Sequence, residues 1–286
     1  MSSTMDDQDV VVGIDPVKDW HLPLAWATDE AHRRGLGLRL VLVVPPQHDA
    51  QHVDDAPRHM ASERAGAEVL AAAVAWAHAR WPDVAATTLL LGGRPGPTLA
   101  HLSRRARMLV LGSRHLSRAE EFLSAGSLAV PVTAQASCPV VVVADAEHST
   151  QQPSYLVVGV DGSEAAQGAL ALAFEEADLR GCALRVVAVW QPPVFSWRRR
   201  DPDLDDERRL LSETVAGWAG KYPDVPLRHE VVAGPPVEVL ADAAEHALAV
   251  VVGRRGQGGY SGMRLGSVVH GLLHRAHCPV ITVPMR

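Results

Sequence analysis

The sequence predicts an α/β protein of two tandem domains, each a five-stranded parallel sheet with helices on both faces. Three observations lead there. The chain repeats itself once along its length. Each copy alternates short apolar strands with helix-length segments. The strands are continuous apolar runs, as strands covered on both faces must be.

The repeat is carried by four matched pieces in the same order. Val10–Asp15 resembles Leu156–Asp161, and Leu38–Val41 resembles Leu184–Val187, both at an offset of 146 residues. Trp81–Val84 resembles Tyr222–Val225 at an offset of 141, and Ser137–Val142 resembles His277–Thr282 at 140. The shrinking offset means that the first copy carries extra residues after its second strand and near its last loop. A polar stretch from Asp145 to Pro153 suits a linker, so the expected domains are 1–149 and 150–286.

The second copy reads in order as follows. Tyr155–Val160 is a β-branched run and so a buried strand. Asp161, Gly162 and Ser163 supply turn and cap residues. Ala165–Arg180 is a helix, with Leu170, Phe174, Ala177 and Leu179 placed near one side. Ala183–Trp190 is the next strand, Asp206–Lys221 a helix and Leu227–Ala233 the third strand. Val237–His246 is a helix, and Leu248–Gly253 is a strand that runs into a glycine-rich loop. Ser267–Ala276 is a helix by the spacing of Val268, Val269, Leu272, Leu273 and Ala276, and Pro279–Val283 closes the unit. In such sheets ligands bind beyond the carboxyl ends of the strands where the strand order reverses. The Asp161 turn and the Gly253 loop both follow carboxyl ends.

Composition bounds the partners. The 286 residues are 47% hydrophobic and 21% charged, with net charge -6, which supports proper cores and gives no general electrostatic pull toward nucleic acid or an anionic membrane. No run of about 18 apolar residues suggests a membrane span. The polar, acidic start does not resemble a secretory signal, and three cysteines without a C-x-x-C pair fit a reducing, cytoplasmic setting.

The chemistry centres on Gly253-Arg254-Arg255-Gly256, nine further residues, and Gly266-Ser267. Gly253 and Gly256 are expected to supply positive φ or a close backbone approach to a ligand. The helix opening at Ser267 offers free amides and a favourable dipole to an anion. Arg254, Arg255 and Arg264 are available to neutralise phosphate charge. This is neither a Walker A loop nor a G-x-G-x-x-G turn.

The pattern G-x2-G-x9-G-S, together with an aspartate ending the first strand, resembles the ATP-binding subclass of the universal stress protein family. The resemblance covers nearly the whole chain, twice, and implies a Rossmann-like fold of the adenine nucleotide α-hydrolase type in each copy. It implies ATP, accompanied by Mg²⁺, bound at the strand ends of the second copy. Val160 and Asp161 would sit by the adenosine, Gly162 and Ser163 in the first turn, and Val189 against the adenine. Gly253 and Gly256 would line ribose and phosphates, with Gly266, Ser267 and Val268 holding the phosphates at the helix start, and Arg254 is counted with the binding residues for its charge. It further implies self-association, with the two copies pairing within one chain and chains dimerising further.

The first copy departs from this pattern. Pro16 follows Asp15 where Gly162 follows Asp161, and His115 replaces the second loop glycine. The spacer before Gly126-Ser127 is one residue longer and carries Glu120 and Glu121, which would repel a triphosphate. Asp15, Val43 and Gly112 remain, so the same fold with a weak or absent nucleotide site is expected there.

Other features read as structure. Trp197–Arg200 is a solvated loop or a flap toward the ligand, and the His and Asp residues between Pro45 and Arg58 match no standard metal spacing. His274 and His277 read as helix-end histidines, and Cys138 and Cys278 as small buried apolar residues. No catalytic constellation and no metal site are evident. The expected function is an ATP-binding stress-response regulator with at most slow hydrolysis. An ATP-independent scaffold, a nucleotidyl or phosphoryl transferase and a flavin carrier are the alternatives.

Overall fold

The computed structural model describes residues 8–45, 55–113, 128–143, 148–191, 204–256 and 264–285. The chain divides into two compact units, Met1–Val143 and Ala144–Arg286.

The first unit contains β1 (Val10–Gly13), α1 (His21–Arg34), β2 (Leu38–Val44), α2 (Asp55–Arg80) and β3 (Ala86–Gly92). It continues with α3 (Pro95–Leu102), a 3-10 turn at Ser103–Arg105, β4 (Met108–Gly112), α4 (Ala129–Gln135) and β5 (Val140–Val143). The second unit contains β6 (Tyr155–Val160), α5 (Glu164–Arg180), β7 (Ala183–Trp190), α6 (Asp205–Lys221) and β8 (Leu227–Ala233). It continues with α7 (Pro236–Ala243), β9 (Val250–Gly253), α8 (Ser267–Arg275) and β10 (Val280–Val283).

Each unit is one parallel sheet. In the first, β1 lies between β2 and β4, β3 flanks β2, and β5 flanks β4. In the second, β6 lies between β7 and β9, with β8 and β10 outside them. Helices cover both faces. In the first unit α1 packs with α2, and α3 with α4. In the second α7 packs with α8, while Phe174 of α5 stacks with Trp218 of α6 and with Tyr222 just beyond it. Covering both faces explains why β2, β5 and β10 are buried at every position and are apolar but for Arg39 and Thr282.

Small departures from the expected elements have local causes. α7 ends at Ala243 rather than at His246, because the next amides turn back in short bonds, Glu245 to Asp242 and Ala247 to Ala244. Leu170, Phe174 and Ala177 are buried, but Leu179 is 38% exposed. Nine residues of helix rotate it half a turn away from Leu170.

The two copies also share a buried ion pair. Glu176 is fully buried and meets Arg180 at 2.8 Å, while Glu30, at the equivalent place in α1, pairs with Arg34. Each helix then stops at a glycine in the left-handed region, Gly35 at φ 62° and Gly181 at φ 58°.

Candidate functional site

In the second unit the strand order reverses between β6 and β9, and a cavity of about 520 Å³ opens at their carboxyl ends. That size falls in the range of small-molecule sites.

One wall is the turn after β6. Asp161 ends the strand, and its Oδ1 accepts the Ser163 N–H at 3.0 Å. Gly162 takes φ +77°, a conformation open to glycine and closed to proline. Ser163 caps α5, its Oγ accepting the Ala166 N–H at 3.2 Å. Asp161 thus projects toward the cavity from a turn that its own carboxylate stabilises.

The adjoining wall is the glycine loop. Neither Gly253 nor Gly256 is among the glycines with positive φ, so close approach and not backbone conformation explains them. A Cβ on Gly253 would lie 2.7 Å from the Ala165 carbonyl carbon at the start of α5. A Cβ on Gly256 would overlap Oδ2 of Asp161. The Gly266 N–H donates to the Arg254 carbonyl at 2.9 Å, closing the loop onto the start of α8. That amide is therefore engaged within the loop. The first turn of α8 leaves the amides of Ser267, Val268 and Val269 for a ligand, since the His270 N–H already donates to the Gly266 carbonyl.

The electrostatics favour an anion. Arg255 lines the cavity, and its Nε is buried with no hydrogen-bond partner among the described residues. Burial, and then the charge of Arg255, holds the Arg254 guanidinium below its ordinary pKa. Arg264 is exposed and does not line the cavity.

Of the residues singled out from sequence, Val160, Asp161, Val189, Gly253, Gly256, Gly266, Ser267 and Val268 line the cavity. Gly162, Ser163 and Arg254 do not, and stand behind it as turn, helix cap and loop clasp. Gln191, Leu240, Pro236, Leu265 and Ala166 also line it. Strand alternation signals Gln191, because Val187, Val189 and Gln191 all point to one face. Leu240 arrives from α7, which reaches the sheet because Gly159 has no side chain; a Cβ there would lie 2.8 Å from Leu240 Cδ1.

The first unit is built differently at the same place. Pro16 cannot adopt the turn of Gly162, and α1 begins only at His21, six residues after Asp15, whereas α5 begins three residues after Asp161. Asp15 accepts the Val17 N–H at 3.0 Å and pairs with Lys18 at 3.2 Å. Gly126, Ser127, His115, Glu120 and Glu121 lie outside the described residues, as do Trp197–Arg200 and the segment 46–54.

A profile of the universal stress protein family matches residues 8–144 and again residues 155–284. The chain belongs to the universal stress protein family. It is a tandem member with two such domains. A universal stress protein of Mycobacterium tuberculosis is 32% identical over 311 residues, covering 98% of this chain and 96% of its own length. The crystal structure of a universal stress protein from Archaeoglobus fulgidus superimposes with TM-score 0.75 at 19% identity, covering 98% of both chains, and shows the shared fold. A shorter universal stress protein from the same organism, in complex with dAMP, covers 46% of this chain at 27% identity with TM-score 0.37.

No described helix is long and apolar enough to cross a membrane. Among the described residues no group of three or more His, Cys, Asp or Glu side chains is placed to hold a metal. Cys138 and Cys278 are buried, and burial pushes both thiols up to about 12.

Proposed function

We propose that the second unit of this universal stress protein binds ATP, and that occupancy of the cleft regulates the protein's conformation or association in a cytoplasmic stress response. The observation that carries the reading is the convergence, around one cleft, of the Asp161 carboxylate, the glycine loop with Arg255 and the start of α8. The carboxylate is an acceptor for ribose hydroxyls or an adenine amino group. Val187, Val189 and Leu240 offer an apolar wall to a purine face. The Ser267–Val269 amides, the Ser267 hydroxyl and Arg255 suit a polyphosphate. Mg²⁺ would ride on the phosphate oxygens, since Asp161 is the one carboxylate among the described lining residues.

The reading is of a binding protein with at most slow hydrolysis: among the described residues no lysine or histidine lines the cleft to act on a γ-phosphoryl group. The first unit binds nucleotide weakly or not at all in this reading, its Asp15 being turned to Lys18. Self-association is the natural route by which occupancy is read out.

Calorimetric titration of nucleotide-stripped protein with Mg-ATP tests this. One equivalent is expected, with loss of the heat in Gly266→Glu, which sets a carboxylate among the phosphate donors. Absence of heat in the wild type, or two equal equivalents, overturns the reading. The first result would leave an ATP-independent scaffold as the better account.

A further inference from the structure

The geometry points to a transition-metal site on the outer face of α8, formed by His270 and His274. The two histidines are four residues apart and so stack on one side of the helix. Both are exposed, whereas Val269 and Leu272 face the core and Gly271 faces Val237 of α7. Their Nε2 atoms lie 3.3 Å apart, with ring centroids 4.5 Å apart at 62°. Without metal, one ring nitrogen donates to the other.

That spacing is what a tetrahedral ion requires. Two imidazole nitrogens at about 2.0–2.1 Å from Zn²⁺, at the tetrahedral angle, stand about 3.3–3.4 Å apart. The nitrogens therefore already stand at the chelating separation, and binding needs a small turn of the rings toward the ion and displacement of the shared proton. Imidazole suits Zn²⁺, Ni²⁺ and Cu²⁺, and two histidines at i and i+4 on a helix are a recurring metal-binding spacing. No third His, Cys, Asp or Glu completes the set among the described residues, so the assignment is of a two-histidine chelate. It would staple one turn of the helix whose first amides face the cleft.

The test uses full-length, tag-free, chelator-stripped protein titrated with ZnCl₂ by calorimetry. The 14 histidines of the chain make variants essential. One equivalent is expected that weakens about 100-fold in either His270→Ala or His274→Ala, as loss of chelation demands, and that persists in His277→Ala. Zinc should also protect His270 and His274 of the wild type from diethyl pyrocarbonate, mapped by mass spectrometry, which needs no variant to fold. A zinc equivalent unchanged in both alanine variants, or no zinc-dependent protection of these two residues, overturns the assignment.

Discussion

Gly253 and Gly256 stand three residues apart in one loop, yet replacing each with alanine should have opposite consequences. A Cβ on Gly253 would fall 2.7 Å from the backbone carbon of Ala165, 2.8 Å from its oxygen and 2.9 Å from its Cβ. These are atoms of the first turn of α5, and Ala165 is itself 2% exposed, so neither side can give without shifting helix or strand. Overpacking of this kind costs about 1–3 kcal/mol. A Cβ on Gly256 meets the Asp161 carboxylate, the end of an exposed side chain that can swing aside. Its effect on stability should be no more than about 0.5–1 kcal/mol, the net worth of the Asp161–Ser163 hydrogen bond that the swing strains. The swing, however, removes the acceptor from the cleft. A hydrogen bond to a charged group is worth about 1.5–3 kcal/mol, so nucleotide affinity should fall roughly 10- to 150-fold. Urea unfolding followed by far-UV circular dichroism, beside calorimetry with Mg-ATP, separates the two. Equal destabilisation by both variants, or unchanged affinity in Gly256→Ala, would refute the division of labour.

Three further outcomes follow from other parts of the molecule. Glu176→Ala leaves Arg180, 10% exposed, without its buried carboxylate, and should cost about 3–5 kcal/mol in urea unfolding; a loss under about 1 kcal/mol would show that the pair is solvated. Burial raises the Asp29 carboxyl, but hydrogen bonds from Arg80 and the Trp81 indole, with the charges of Arg80 and Arg33, more than offset it, so its pKa is lowered on folding. A depressed carboxylate stabilises above its unfolded value of about 3.9 and loses that contribution as pH falls through the folded value. Asp29→Ala should thus cost about 1 kcal/mol at pH 7, the exposed Arg80 limiting the gain, and a smaller amount as the pH is taken down through the acid range; a pH-independent difference would contradict this. With thiols near 12, Cys138 and Cys278 carry roughly one thiolate in ten thousand at pH 8 and should resist Ellman's reagent until urea unfolds the chain; rapid reaction of either in native buffer would show that its strand end opens.

Most of the fold was legible in the residues. A run such as Val10–Gly13 or Val250–Gly253 has one low-energy use, a strand covered on both faces, and the repeat doubles every such inference. The loop glycines and Asp161 were legible as a site because their spacing is local to one strand–loop–helix unit. The reason for the glycines was not. Sequence reading expected backbone freedom and a close approach to a ligand, whereas the structure shows Gly253 against Ala165 and Gly256 against Asp161, pairs about 90 residues apart.

The residues by themselves determined where strands and helices fall, that the chain is doubled, and that its last loop carries a cationic, glycine-rich approach to a helix start. Local propensity and periodicity settle such matters within a few turns of chain. Only the tertiary structure decided that Leu240 closes the cleft, that Glu30 and Glu176 are buried against their own helices' arginines, that Leu179 faces water, and that His270 and His274 bring their ring nitrogens to 3.3 Å. Each depends on which face of a helix meets which strand, and on how closely. That is fixed by packing among segments distant in sequence, where a missing Cβ at Gly159 or a proline at position 16 decides whether two backbones can meet.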